Sequence, residues 1–507
     1  VTPTFAGRWR QAVSSNPSGT FLVWEGPDGS TRSWSYAEFD DLVARVAGGL
    51  VERGVQPGSA VHLALTNSPA FVALWLAAAN LGAWVVPSDP GATSRELTGH
   101  LERTRPVVGV CGIAQAEAYR WALRDLEHPP VLDVVESADT ELSGLAAAPV
   151  EWVRHPAPRP EDRAAVMFTS GTTSAPKGVE VTQANYAFAG DVMAAASQLG
   201  LTDRQLVVLP LFHANAQYYS FASAISVGAS VALVHAFSAS RFLAQAARHQ
   251  VTHASLFAAP IRMILARGAT PVDGLRLRHC WYAQNLTDQQ YDEIAALLGC
   301  QPRQLYGMTE TIPAVLTCRS LDAAPDVMGI QTLGCQVDVW DADGRPSADG
   351  EVGEVVVRGV PGATLFAGYL DDPGTTAASF SKGWFRTGDL ASRDAAGRFR
   401  FAGRRSDVLK VSGENVSVIE VEAVIADHPS VLEVAVTGRP DPMRDEVPVA
   451  YVVPHPDRPP LTAEDLSTWC EERLAKSKRP TDFELVTELP RTSVGKIRKF
   501  LLTAHDS

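Results

Sequence analysis

Apolar positions along the first third of the chain alternate between two periods. From Trp34 to Gly54 they recur at spacings of three and four, which predicts an amphipathic helix capped near Ser35. Val61–Leu65 then reads as a strand and Ala70–Leu81 as a buried helix. This exchange of strand and helix continues to about residue 330 and predicts α/β layers around mainly parallel sheets. Beyond it the pattern shortens to alternating strands with tight turns, at Val337–Trp340, Glu354–Arg358 and Arg398–Phe401, which predicts a small antiparallel or barrel-like subdomain. From Ser406 a compact α+β segment follows, with helices over Val416–Ala426 and Ala463–Leu474 and strands over Val431–Thr437, Pro448–Val453 and Asp482–Val486. The expected organisation is therefore α/β: an N-terminal core over 1–404, with two α/β subdomains and a β-rich part at 330–404, and a small lid domain over 405–507.

One segment departs from ordinary loop composition. The strand Ala164–Phe168 leads into Thr169-Ser170-Gly171-Thr172-Thr173-Ser174-Ala175-Pro176-Lys177-Gly178, which holds five hydroxyls, two glycines and a lysine. Hydroxyls and bare backbone N–H groups donate to phosphate oxygens, glycine lets the main chain approach closely, and lysine adds a mobile cation. It is not a Walker A loop, since the spacing from Gly171 to Lys177 is wrong and no Ser or Thr follows the lysine. The proline-rich stretch His155–Pro160 reads as a stiff connector just before it.

Four further segments follow it in order: Tyr306-Gly307-Met308-Thr309-Glu310; Phe385-Arg386-Thr387-Gly388-Asp389; Gly403-Arg404 with Ser406-Asp407 and Ser412-Gly413-Glu414-Asn415; and Pro490-Arg491-Thr492-Ser493-Val494-Gly495-Lys496. With the loop at Thr169, they resemble, in register, the motifs of the adenylate-forming superfamily, which includes acyl-CoA synthetases, luciferases and the adenylation domains of peptide synthetases. The resemblance implies an ATP-dependent acid:CoA ligase that makes an acyl-AMP with loss of pyrophosphate and passes the acyl group to coenzyme A. Its alternative is a stand-alone adenylating enzyme that uses a carrier-protein thiol or an amine.

The same resemblance implies residue roles. Thr169, Ser170, Gly171, Thr172, Thr173 and Lys177 would surround the phosphates, Tyr306, Gly307 and Met308 the adenine side, and Asp389 and Arg404 the ribose. Thr309 would meet the α-phosphate, Glu310 and Thr172 would hold Mg²⁺, and Lys496 would be the catalytic cation. Ser406 and Asp407 would form a hinge, and Ser412, Gly413 and Glu414 would face coenzyme A. Phe212, His213, Tyr282 and Ala283 would line the acid pocket. Departures stand at Ser174, at Ser406, and at Trp281-Tyr282-Ala283-Gln284-Asn285. There, and at Tyr306–Thr311, the chain resembles carnitine and crotonobetaine ligases more than fatty-acyl enzymes. No aspartate stands between Leu206 and His235 to pair with a substrate ammonium.

Bulk properties narrow the class. A net charge of −13 disfavours nucleic acid and anionic membrane as partners. Of seven lysines in the chain, two are Lys177 and Lys496. The six cysteines form no CxxC pair, which fits reduced thiols in a cytoplasmic protein. The apolar windows Ala70–Pro87 and Val207–Phe237 are broken by polar residues and predict core elements instead of membrane spans. A monomer or homodimer is expected.

Overall fold

The computed structural model describes residues 2–152, 155–169, 176–319, 323–404, 408–411, 414–441, 443–456, 458–491 and 497–502. They fold as two compact units. The first comprises 1–325, 329–336 and 357–385, the second 326–328, 337–356 and 386–507.

In the first unit the predicted helices form where their caps allow. Ser35 and Glu38 build a reciprocal capping box at the start of Tyr36–Glu52. Ser68 caps Pro69–Leu81, whose 13 residues are all buried, and Gly82 ends it in the left-handed region at φ 71°. Two sheets share this unit. One runs Arg303–Tyr306, His279–Ala283, His253–Phe257, Arg204–Val207, Ser230–Val234, Thr20–Glu25, all parallel, with Thr31–Ser35 antiparallel at the edge. The other runs Gly368–Tyr369, Lys177–Thr182, Arg163–Thr169, Trp84–Pro87, Ala60–Ala64, Val108–Gly112, Val131–Val135; its first two pairings are antiparallel and the rest parallel.

The second unit holds much of the neighbouring strands Gln336–Trp340, Val352–Arg358, Trp384–Arg393 and Phe399–Arg404, the last two paired antiparallel. It also holds the C-terminal α+β segment, whose long hairpin pairs Val431–Asp441 with Asp445–Pro454. The strands that the sequence groups with residues 1–404 thus share a unit with the C-terminal segment. Arg404 ends a strand, and the next begins only four residues on, at Val408. A second hairpin, Val408–Val411 with Glu414–Ser417, occupies ground that the sequence reading left as loop and helix start, so the helix begins at Val418. Among the described residues no helix is long and apolar enough to cross a membrane.

Candidate active site

Loops that leave the carboxyl ends of neighbouring parallel strands gather on one side of a sheet, where open α/β folds place their ligands. Three such loops here carry sequence-predicted residues. Arg204–Val207 leads to Phe212 and His213, His279–Ala283 to Gln284 and Asn285, and Arg303–Tyr306 to Gly307–Glu310. Their conformations are fixed by side-chain ties. Asn67 donates to the carbonyls of Leu209 (3.1 Å) and Val234 (3.0 Å) and accepts from the Leu211 N–H (2.8 Å), while Gln217 donates to the Leu211 carbonyl at 2.6 Å. Phe212 and His213, both half-buried, stand with ring centroids 4.2 Å apart. Gln304 donates to the Gln284 carbonyl (3.0 Å) and the Asn285 side-chain oxygen (2.9 Å). Gly307 admits no side chain, because a Cβ would lie 2.9 Å from Ala314 Cα, the Pro313 carbonyl oxygen and the Tyr219 hydroxyl.

After Gly307 the chain makes one tight turn over Thr309–Thr311. The Thr311 hydroxyl accepts from the Met308 N–H at 3.0 Å and donates to the Pro313 carbonyl at 3.2 Å, which orients Thr309 and Glu310. Glu310 is only 4% exposed. Tyr369 donates its hydroxyl to Glu310 Oε1 at 3.0 Å, and the Phe366 N–H donates to the Glu310 carbonyl at 3.0 Å. Burial first, and the charge of Glu310 second, push the Tyr369 phenol well above its usual range, so it stays a proton donor. The other sheet supplies the next link. Thr169 and Lys177 pair across the mouth of the phosphate-type loop, and the Lys177 ammonium lies 4.9 Å from the centre of the Tyr369 ring. Three segments remote in sequence thus meet in the string Lys177, Tyr369, Glu310.

Both stems of that loop are braced. Phe168 stacks on the His100 ring at 4.1 Å and 6°, and the Arg103 guanidinium lies 4.9 Å from the Phe168 ring centre. Arg103 also donates to the Pro176 carbonyl at 2.6 Å. His100 is tied through Ser88 to His62, at 2.8 and 2.9 Å. Burial lowers His100 to about 4, so near neutral pH it is an uncharged ring that does not repel Arg103. Arg103→Ala is expected to raise the KM for ATP about tenfold with a smaller fall in kcat, because a charge-assisted bond holding the loop is lost. Arg103→Lys should recover part of this; steady-state kinetics at varied ATP check both.

In the second unit Asp389 and Arg404 are cross-strand partners, joined by an ion pair of 2.9 Å from Arg404 Nε to Asp389 Oδ1. Asp389 is 4% exposed, and its N–H donates to the Thr387 hydroxyl at 3.1 Å. Gly388 between them takes φ 75°.

Other predicted residues fare differently. Tyr282 is fully buried in the core, its hydroxyl near the carbonyls of Ala324 (3.4 Å) and Pro325 (3.3 Å), and only the neighbouring Ala283 is partly exposed. Trp281 is a core residue, edge-on to His279 at 4.2 Å. Ser170, Gly171, Thr172, Thr173, Ser406, Asp407, Ser412, Gly413 and Lys496 lie outside the described residues, and Glu414 is described only as the first residue of its strand. Tyr369, Arg103, His100 and Asn67 were not singled out in the sequence. Each is a lone residue in an unremarkable context, and only the fold gives it neighbours.

Comparison with known proteins identifies the family. The AMP-binding enzyme family matches residues 9–370, and the AMP-binding enzyme C-terminal domain matches 420–496. A crotonobetaine/carnitine–CoA ligase of Salmonella enteritidis is 32% identical over 503 residues, 97% of each chain. Among solved structures, the anthranilate CoA ligase AuaEII in complex with anthranoyl-AMP is 25% identical with a TM-score of 0.87, covering 100% of this chain and 98% of that one. A benzoate CoA ligase from Burkholderia xenovorans is 25% identical with a TM-score of 0.88, covering 98% and 99%. By fold, motifs and relatives alike, the chain belongs to the AMP-binding enzyme family, the adenylate-forming superfamily, as an ATP-dependent ligase of the acid:CoA type.

Proposed function

We propose that this acid:CoA ligase activates a carboxylic acid lacking an α-ammonium group, with the string Lys177, Tyr369, Glu310 as the frame of its phosphate site. In the first half-reaction a carboxylate oxygen attacks the α-phosphorus of ATP, the bond to the β-phosphate oxygen breaks, and pyrophosphate leaves. Two anions meet, so the chief need is for cations and donors already in place. Lys177, with Ser170, Gly171, Thr172 and Thr173, takes the departing phosphates, the Thr309 hydroxyl the α-phosphate, and Tyr306 stacks on adenine. Asp389 accepts from the ribose hydroxyls. Its ion pair with Arg404 supports that role by fixing the carboxylate. Lys496 brings the last cation.

Among the described residues no cluster of three or more His, Cys, Asp or Glu could hold a metal. A single buried carboxylate fits Mg²⁺, which commonly takes one or two protein carboxylates and completes its shell with phosphate oxygens and water. Glu310, with Thr172, would hold it, and the ion would supply neutralisation of phosphate charge. Phe212, His213 and Ala283 would face the acid. In the second half-reaction the coenzyme A thiolate attacks the acyl carbon and AMP leaves. Ser406 and Asp407 serve as the hinge, and Ser412, Gly413 and Glu414 admit the pantetheine arm.

The observation that carries this reading is the meeting of Lys177, Tyr369 and Glu310 beside the Gly307 turn. Its test supplies ATP, Mg²⁺, coenzyme A and a panel of acids, and follows products. AMP, pyrophosphate and thioester should form in equal amounts; ADP would overturn the reading. Hydroxylamine-trapped acyl groups with no thioester at any coenzyme A concentration would move the acceptor to a carrier-protein thiol or an amine.

A further inference from the structure

Asn215 opens an eight-residue π-helical stretch, Asn215–Ala222, two residues after His213. Such widened turns are rare and concentrate at functional sites. Asn215 is 6% exposed, yet neither its side-chain oxygen nor its side-chain nitrogen has a hydrogen-bond partner among the described residues. Its neighbours in the stretch do not share this state. Gln217 donates to Leu211 and accepts from Tyr186, and the Tyr218 hydroxyl donates to Met167 Sδ at 3.7 Å. Burying an amide with both halves unpaired is costly, and proteins seldom keep such a group without a use for it.

The helix also shows where that amide stands. Tyr219, four positions on and near one turn later, shares the face of Asn215, and its hydroxyl lies 2.9 Å from where a Cβ on Gly307 would be. The face that begins with Asn215, two residues after His213, thus reaches the Gly307 turn through the Tyr219 hydroxyl, and on the ligase reading the reacting carboxylate lies between these two segments.

We propose that Asn215 is a specificity-determining residue of the acid pocket, and that the acid this enzyme activates carries a neutral hydroxyl or carboxamide group that pairs with the Asn215 amide. The inference rests on the acid:CoA ligase reading. Asn215 offers one donor group and one acceptor but no charge, so a neutral hydroxyl or carboxamide can use both halves, whereas an ammonium would engage only the oxygen and meet no counter-charge there. A site built to bond a polar group also rejects the analogue lacking it strongly, because its own buried amide is then left unpaired.

The test compares matched acids that differ by one polar group, hydroxybenzoates against benzoate and hydroxybutyrates against butyrate, by pyrophosphate release with wild type and Asn215→Leu. Wild type should favour at least one hydroxylated member over its parent by about 10²-fold or more in kcat/KM. Asn215→Leu should cut that preference at least about tenfold and leave the KM for ATP unchanged. Thermal melting separates a structural role. Replacing an unpaired buried amide by an apolar group of similar size should leave Tm unchanged or raise it, whereas loss of a structural amide would lower it. A wild type that favours the parent acids throughout, or a variant with lowered Tm and unaltered preference, overturns the proposal. If no acid yields AMP with wild type, the ligase reading itself falls, a result distinct from either.

Discussion

Lys496→Ala is expected to slow acyl-adenylate formation by about 10²- to 10³-fold, the usual loss when one preorganised group facing developing charge is removed. ATP binding should change by no more than a few-fold, since Lys177 and the loop that it closes remain. The argument starts from electrostatics. The protein carries a net charge of −13, and the substrates bring a triphosphate and a carboxylate into one site. Little of that repulsion is screened by the chain as a whole, so local cations must do it. Lys177 is committed to the phosphate loop, where its ammonium lies over the Tyr369 ring. A second mobile ammonium, on a long stem with three donors, suits the point where attacking and leaving oxygens share charge. The second half-reaction makes no such demand, because pyrophosphate has gone and the nucleophile is a thiolate. The variant should therefore turn a supplied acyl-adenylate into thioester at a near-normal rate. Single-turnover measurements of both halves decide the matter; equal losses in the two would remove Lys496 from the adenylation step.

How far the sequence could lead depended on the range of each interaction. The helices Tyr36–Glu52 and Pro69–Leu81 were legible because cap residues and apolar spacing are local signals. Lys177 stood out because its neighbours in sequence are hydroxyls and glycines, and Glu310 and Asp389 because their segments resemble family motifs. Tyr369 gave no such sign. Its role comes from the pairing of Gly368–Tyr369 with the strand Lys177–Thr182, which joins residues almost two hundred positions apart. Arg103 and His100 were silent for the same reason, lying on a helix whose sequence reads only as amphipathic. The stretch Asn215–Ala222 is buried on every side, so it carries no period to distinguish helix from strand. Tyr282 stands apart: its pocket role came from the resemblance, and in the structure it is buried in the core, on a strand whose neighbours Cys280 and Trp281 are buried as well, so the pleat does not single it out.

Glu310→Gln should produce the second large loss, again about 10²-fold or more in adenylation, together with a raised requirement for Mg²⁺. The substitution is informative because glutamine keeps the volume and still offers an oxygen to the Tyr369 hydroxyl, so what disappears is mainly charge. A buried carboxylate that accepts from the Tyr369 phenol, whose ring centre lies 4.9 Å from the Lys177 ammonium, has a natural use in a divalent ion shared with phosphate. Tyr369→Phe tests the frame separately. It removes a hydrogen bond to a charged group, worth about 1.5–3 kcal/mol, and should lower adenylation roughly 10- to 100-fold while raising the KM for ATP. Because Tyr369 acts through Glu310, the double variant should be impaired by far less than the product of the two single losses. Strict multiplication would mean that the phenol and the carboxylate act independently. A Glu310→Gln enzyme with an unchanged Mg²⁺ titration would show that the carboxylate holds the turn and not the metal.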